Sequence, residues 1–159
     1  MPINVQTIAR FEKVSRAYVH HLLAEYDLRP PATGQWQLNH WLAARVCRGL
    51  HVQYGIARQD LLPLARAIGR CSAEEMELLV AGGRCWVMVV CGPEGGQAAP
   101  ELFLRENVVA AATQRAAELS LAGAAVVGLS IAQEWQRLVG LANAGAALPE
   151  EETTDAPAE

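Results

Sequence analysis

A chain of 159 residues, 52% hydrophobic and 19% charged, can bury the core of one ordinary domain, or of a small head with a second small unit, and is excluded from the disordered class. No apolar run reaches the ~18 residues of a membrane span, and the opening MPINVQTIARFEK lacks the apolar core of a signal peptide, so a cytoplasmic protein with no membrane partner is expected. The net charge of −4 hides a division: residues 1–70 hold nine Lys and Arg against four Asp and Glu, whereas residues 71–159 hold four against thirteen. The acidic tail EEETTDAPAE supplies five of those thirteen carboxylates, and the second half stays acidic without it. Local positive charge suits phosphate, and an acidic remainder limits non-specific sticking.

In chain order, Val5 to Glu12 is the first expected helix, with Ile8 and Ala9 inward. Asn4 is its cap, and Ile3 and Ile8 stand as a hydrophobic staple. The second runs from Arg16 to Leu23, with Val19, Leu22 and Leu23 inward, Ser15 as cap and Val14 with Val19 as staple. A tight turn between them needs a small residue where the helices cross, which Ala9 provides. AEYDLRPPATGQW then reads as a turn or short wing, because Pro30 and Pro31 cannot continue a helix. NHWLAARVCRGL is expected as a helix capped by Asn39, with Trp41, Leu42, Val46 and Leu50 buried and Arg45 and Arg48 toward the other side. QDLLPLARAIG follows as a helix capped by Asp60, with Pro63 in its first turn and Gly69 as its stop. Ser72 to Glu75 forms a capping box for a helix ending at Gly82 and Gly83.

The character changes at Cys85. CWVMVVC is β-branched and apolar between glycine-rich breaks and reads as a buried strand, with ELFLR (101–105) as its partner. Asn107 to Ser120 reads as an Ala-rich helix, and GAAVVGLSI (123–131) as either a strand or a helix start, which periodicity does not decide. AQEWQRLVGLA (132–142) is helical, and the acidic stretch from Pro149 is expected to be disordered. The expected fold is α+β: a mainly helical head over 1–70, an α+β self-association unit over 71–148 and the tail over 149–159.

The run Ile8-Ala9-Arg10-Phe11-Glu12-Lys13-Val14-Ser15-Arg16-Ala17-Tyr18-Val19-His20-His21-Leu22 resembles the pattern apolar-Ala-x-x-x-Gly-Val-Ser-x-x-x-Val-x-x-Leu of helix-turn-helix regulators. Within it, VSRAYV is similar to the recognition helix of ParB-like partition proteins. The match covers about 20 of the 159 residues, and Lys13 stands where the pattern has Gly, a position that by this resemblance favours φ > 0. The resemblance implies double-stranded DNA as partner. Arg16, one residue past the cap, would reach a guanine edge in the major groove. Ser15 with the free N–H groups of its helix would hold a phosphate, and Gln6 and Thr7 a flanking one. Ala17 would touch a thymine methyl, and Tyr18, His20 and His21 complete the family's contact positions.

Other chemistries fare poorly. The four histidines fall at positions 20, 21, 40 and 51, and Cys47-x-x-x-His51 is only one loose pair, so no metal site is expected. Cys47, Cys71, Cys85 and Cys91 read as reduced thiols. Cys85 and Cys91 share a strand face, with a structural role favoured over a redox one. Gly128-Leu129-Ser130-Ile131-Ala132 resembles a serine elbow, but no histidine follows position 51. GPEGG lacks the Lys-Ser/Thr of a phosphate loop. No enzyme activity or cofactor is therefore expected, and no small-molecule effector is evident in the sequence. The reading is a regulator that occupies an operator as a homodimer built mainly by residues 85–145. The alternatives are a plasmid or phage partition or replication factor, and a protein-interaction adaptor that has lost DNA binding.

Overall fold

In the computed structural model, which describes residues 2–30, 35–82, 86–91, 101–103, 114, 117 and 125–146, the Asn4 side chain accepts the Gln6 backbone N–H at 2.8 Å and opens helix α1 (Val5–Glu12). Val5, Ile8 and Ala9 are its buried residues. The helix ends in a double turn: Lys13 N–H donates to the Arg10 carbonyl at 3.3 Å and Val14 N–H to the Ala9 carbonyl at 3.0 Å. That closure requires a left-handed residue, and Lys13 takes φ 54, ψ 41. Ser15 then accepts the Tyr18 N–H at 3.1 Å and opens α2 (Arg16–Glu25), which buries Val19, Leu22 and Leu23. The same closure ends α2: Asp27 N–H reaches the Ala24 carbonyl, Leu28 N–H reaches the Leu23 carbonyl, both at 3.0 Å, and Asp27 has φ 53. The helix outlasts the expected Leu23 because Tyr26 and Leu28 both enter the core, drawing the chain inward before Pro30.

The stretch after α2 ends in a strand the sequence does not announce. Trp36–Gln37 (β2) pairs antiparallel with Pro2–Ile3 (β1), in the register Pro2↔Gln37 and Ile3↔Trp36. Helix α3 (Leu38–Tyr54) follows at once, and His40 Nδ1 accepts the Gln37 N–H at 3.1 Å. Asn39 is thus inside the helix, not its cap. It is buried and donates through Nδ2 to the Gly69 and Cys71 carbonyls at 2.5 and 2.7 Å. Those carbonyls close α4 (Arg58–Arg70), so Asn39 caps the far end of another helix. Along α3, Trp41, Leu42 and Leu50 are buried as expected, Val46 only half so, and Ala43, Ala44 and Cys47 join them. Gly55, at φ 67, ends the helix.

Three expectations for α4 are corrected. The residue before the helix is Ala57, so Asp60 lies in the first turn, where its charge favours the helix N-terminus without capping it. Pro63 is beyond the first turn; the carbonyl it leaves unpaired is that of Gln59, on the exposed side. Gly69 does not stop the helix. A Cβ there would stand 3.0 Å from Leu28 Cδ2, so glycine is the residue that lets α4 approach the end of α2.

Helix α5 (Ala73–Ala81) opens with the expected capping box: Glu75 N–H to Ser72 Oγ at 3.0 Å and Ser72 N–H to Glu75 Oε2 at 2.6 Å. Strand β3 (Trp86–Cys91) is central in a three-stranded antiparallel sheet, flanked by β4 (Glu101–Phe103) and β5 (Ala125–Ser130). Register runs from Trp86↔Ser130 to Cys91↔Ala125 on one side and from Trp86↔Phe103 to Met88↔Glu101 on the other. The ambiguous segment over 123–131 is a strand through Ser130, and α6 (Ile131–Ala146) begins at the next residue. Gln114 and Ala117 are helical; the rest of the expected Ala-rich helix, Cys85 and the acidic tail lie outside the described residues. The fold is mostly helical with small antiparallel sheets. Helix α6 packs on α1 and α3, and its buried Ile131, Trp135 and Leu138 share one core with Ile8, Trp41 and Leu42. No helix among the described residues is long and apolar enough to cross a membrane.

Candidate nucleic-acid interface

The residues that turn α2 into an amphipathic helix also define its free face. Val19, Leu22 and Leu23 are buried, so Arg16, Ala17, His20 and His21 are exposed on the other side, with Ser15 exposed at the cap. These five lie within two turns of one another. Tyr18 is half-buried at the edge of that face, and the Arg48 guanidinium of α3 sits 5.9 Å from its ring centroid, within cation–π range. Gln6 is exposed and Thr7 half-buried in the first turn of α1, at the end of that helix away from the turn. The sequence-derived set therefore divides into a cluster on α2 and a separate pair on α1.

The charges around this face are sorted. Glu12, with a side chain 12% exposed, pairs with Arg45, and with Arg137 at 2.7 Å. Glu134 pairs with the same two arginines, at 2.5 and 2.9 Å, so four charges close a ring across α1, α3 and α6. Trp41 Nε1 adds a 3.4 Å hydrogen bond to Glu12. Burial opposes ionisation of Glu134, but hydrogen bonds from Arg137 and the charges of Arg45 and Arg137 hold its carboxyl below the ordinary range. The hydrogen bond to Glu134, opposed by burial and helped by Glu12, keeps Arg137 firmly charged. Glu25, nearly buried, pairs with Arg58 at 2.6 Å and more loosely with Arg48 at 3.9 Å. Asp27 takes Arg66 at 2.9 Å and Arg29 at 3.6 Å. Among the described residues, Lys13 and Arg16 form no ion pair, and the exposed side of α2 carries no carboxylate between Arg16 and Ala24.

Lys13 was not in the sequence-derived set. It is exposed on the turn immediately before the α2 cap, where its left-handed backbone holds its position. Its signal was its place between the two helices. Arg48 had no such signal, because only packing of α3 beside α2 brings it under Tyr18.

Cys47, Cys71, His40 and His51 have defined surroundings as well. Cys47 is buried, and desolvation pushes its thiol to about 12, far from a reactive thiolate. Burial, helped by Glu75, also raises the Cys71 thiol. His51 Nδ1 lies 2.8 Å from the Ile56 carbonyl, tying the α3–α4 loop rather than joining Cys47 as a ligand. Burial lowers the pKa of His40, whose Nδ1 is already an acceptor. No cluster of three metal-ligating side chains occurs among the described residues. No protein-family model matches the chain, and no match emerges among curated proteins or solved structures.

Proposed function

We propose that this protein is a sequence-specific DNA-binding regulator, acting by occupancy of its site, with α1 and α2 as a helix-turn-helix and α2 as the helix that enters the major groove. The observation that carries this reading is the sorting of charge: three of the head's four carboxylates, Glu12, Glu25 and Asp27, are taken up by other arginines, the fourth, Asp60, lies on α4, and the exposed face of α2 keeps Arg16 unpaired with no acid beside it. An α-helix fits the major groove, and an arginine near its N-terminus pairs bidentately with guanine. The capped N-terminus, with Ser15 exposed and Lys13 beside it, suits a flanking phosphate. His20 and His21 extend the contact along the helix, and Tyr18 is held at its edge by Arg48. One such helix covers few base pairs, so useful specificity calls for two heads on one duplex.

The test is selection of bound fragments from random DNA with the full-length protein, followed by titration of the selected site across salt. The expected outcome is an enriched motif and a binding constant that falls with salt, with a log–log slope of about −0.9 per phosphate neutralised. Arg16→Ala should lose about 1–3 kcal/mol on that site and relax preference at one base position. No enriched motif and no salt-sensitive binding would overturn the reading in favour of a protein-interaction adaptor.

A further inference from the structure

Two large hydrophobic side chains are strongly exposed among the described residues: Val52 on α3, at 66%, and Leu78 on α5, at 69%. Each stands on a stripe at helical spacing, and the stripes are opposite in charge and shape. On α3 the outward stripe is Arg45, Arg48, Gly49 and Val52; on α5 it is Glu74, Glu77, Leu78 and Ala81, all exposed. The α3 stripe borders a groove of about 340 Å³ whose walls include Tyr18, Leu22 and Trp41. Its floor opens at Gly49, where a Cβ would meet nothing within 4 Å.

We propose that this groove receives α5 of a second copy of the chain, with Leu78 entering over Gly49. Laid parallel, the stripes set Glu77 against Arg48, Leu78 against Gly49 and Ala81 against Val52, a large residue facing a gap and a carboxylate facing a guanidinium. Arg45 is already held by Glu12 and Glu134. Arg48 is the available cation, since among the described residues its one ion pair, to Glu25, is loose at 3.9 Å. The contact cannot be made within one chain. Helix α5 packs on its own α3 through the opposite face, where Met76 is buried, and leaves Leu78 outside. Each contact thus uses one α5 and one groove, from different copies.

The experiment is sedimentation of the full-length protein without DNA over a range of concentrations, so its outcome is independent of the DNA-binding reading. Wild type is expected to self-associate reversibly. Arg48→Glu and Glu77→Arg should each move association to about tenfold higher concentration or more, and an equimolar mixture of the two should restore it, because each then offers what the other lacks. Leu78→Ser and Val52→Asp, at exposed positions where folding is not at stake, should weaken association as well; thermal melting verifies that every variant is folded. A chain that stays monomeric at all concentrations overturns the proposal. So does association unchanged in Leu78→Ser and Val52→Asp, which would move the contact to the C-terminal sheet.

Discussion

Arg16 and Arg45 both belong to the basic first half of the chain, and their surroundings could hardly differ more. Arg45 lies between Glu12 and Glu134 in a ring that Arg137 completes, backed by the buried Trp41 and Trp135. Arg16 stands exposed on α2 with no ionic partner. A count of charges treats the two alike. What separates them is whether folding brings a carboxylate within 4 Å, because a paired guanidinium has little field left for a ligand while an unpaired one keeps it. The positive balance of residues 1–70 is therefore not spread over the head. It is largely neutralised on the side facing α6 and around Glu25 and Asp27, and among the described residues it survives at Lys13 and Arg16 beside the α2 cap and at Arg70 in the last turn of α4.

The contrast is broken most directly through the core that backs the ring. Trp135→Ala should cost about 3–5 kcal/mol in denaturant unfolding, since it empties a fully buried site shared by α1, α3 and α6. A loss well under 1 kcal/mol would mean that α6 does not share the core of the head. Next come matched arginine truncations. Arg137→Ala should lower stability by about 1 kcal/mol, the pair being partly exposed and screened, whereas Arg16→Ala should stay within about 0.5 kcal/mol of wild type. On DNA the order should reverse, with Arg16→Ala the more damaging.

Acid titration sharpens the same contrast. Because Glu134 is held below its ordinary carboxyl range in the folded chain, its ring contributes stability that is present above that range and lost as pH falls through the depressed value. Thermal midpoints measured from pH 6 down to pH 3 should fall more steeply in wild type than in Glu134→Gln. Equal slopes would show that the ring does not titrate with folding.

The smallest effect is at the turn. Lys13→Gly removes a left-handed side-chain penalty and should stabilise by about 0.4–1 kcal/mol at most, as glycine also gains freedom when unfolded. Asp27→Gly, at the matching position after α2, should gain less, because Asp27 would forfeit its contacts with Arg66 and Arg29. Chemical denaturation of both variants checks the order.

Much of the fold was legible before any coordinates. The caps at Asn4, Ser15 and Ser72 and the inward stripe of α2 follow from interactions between residues two to four apart or from burial period, the strand of β3 from a short β-branched run between glycine-rich breaks, and the left-handed turn at Lys13 from the resemblance to the helix-turn-helix pattern. The candidate site was legible to the same extent, since Ser15, Arg16, Ala17, His20 and His21 lie on one short helix. What misled was the assumption that a polar residue near a helix start serves its own helix. Asn39 and Asp60 both invite that reading, and Asn39 instead reaches carbonyls 30 and 32 positions away. Gly69 has the composition of a helix stop and the task of a close contact.

By itself, then, the sequence determined where α1, α2 and α5 begin, which side of α1 and α2 turns inward and which residues stand on the free face of α2, because capping and amphipathicity act over a few residues. Only the tertiary structure decided which charges remain available. Glu12 meets Arg45 across 33 positions and Arg137 across 125, and no local rule pairs residues at those separations. The pairing follows from α3 and α6 packing against the end of α1, which buries Glu12 until it needs a counter-charge and leaves Arg16 on the far side of the turn without one.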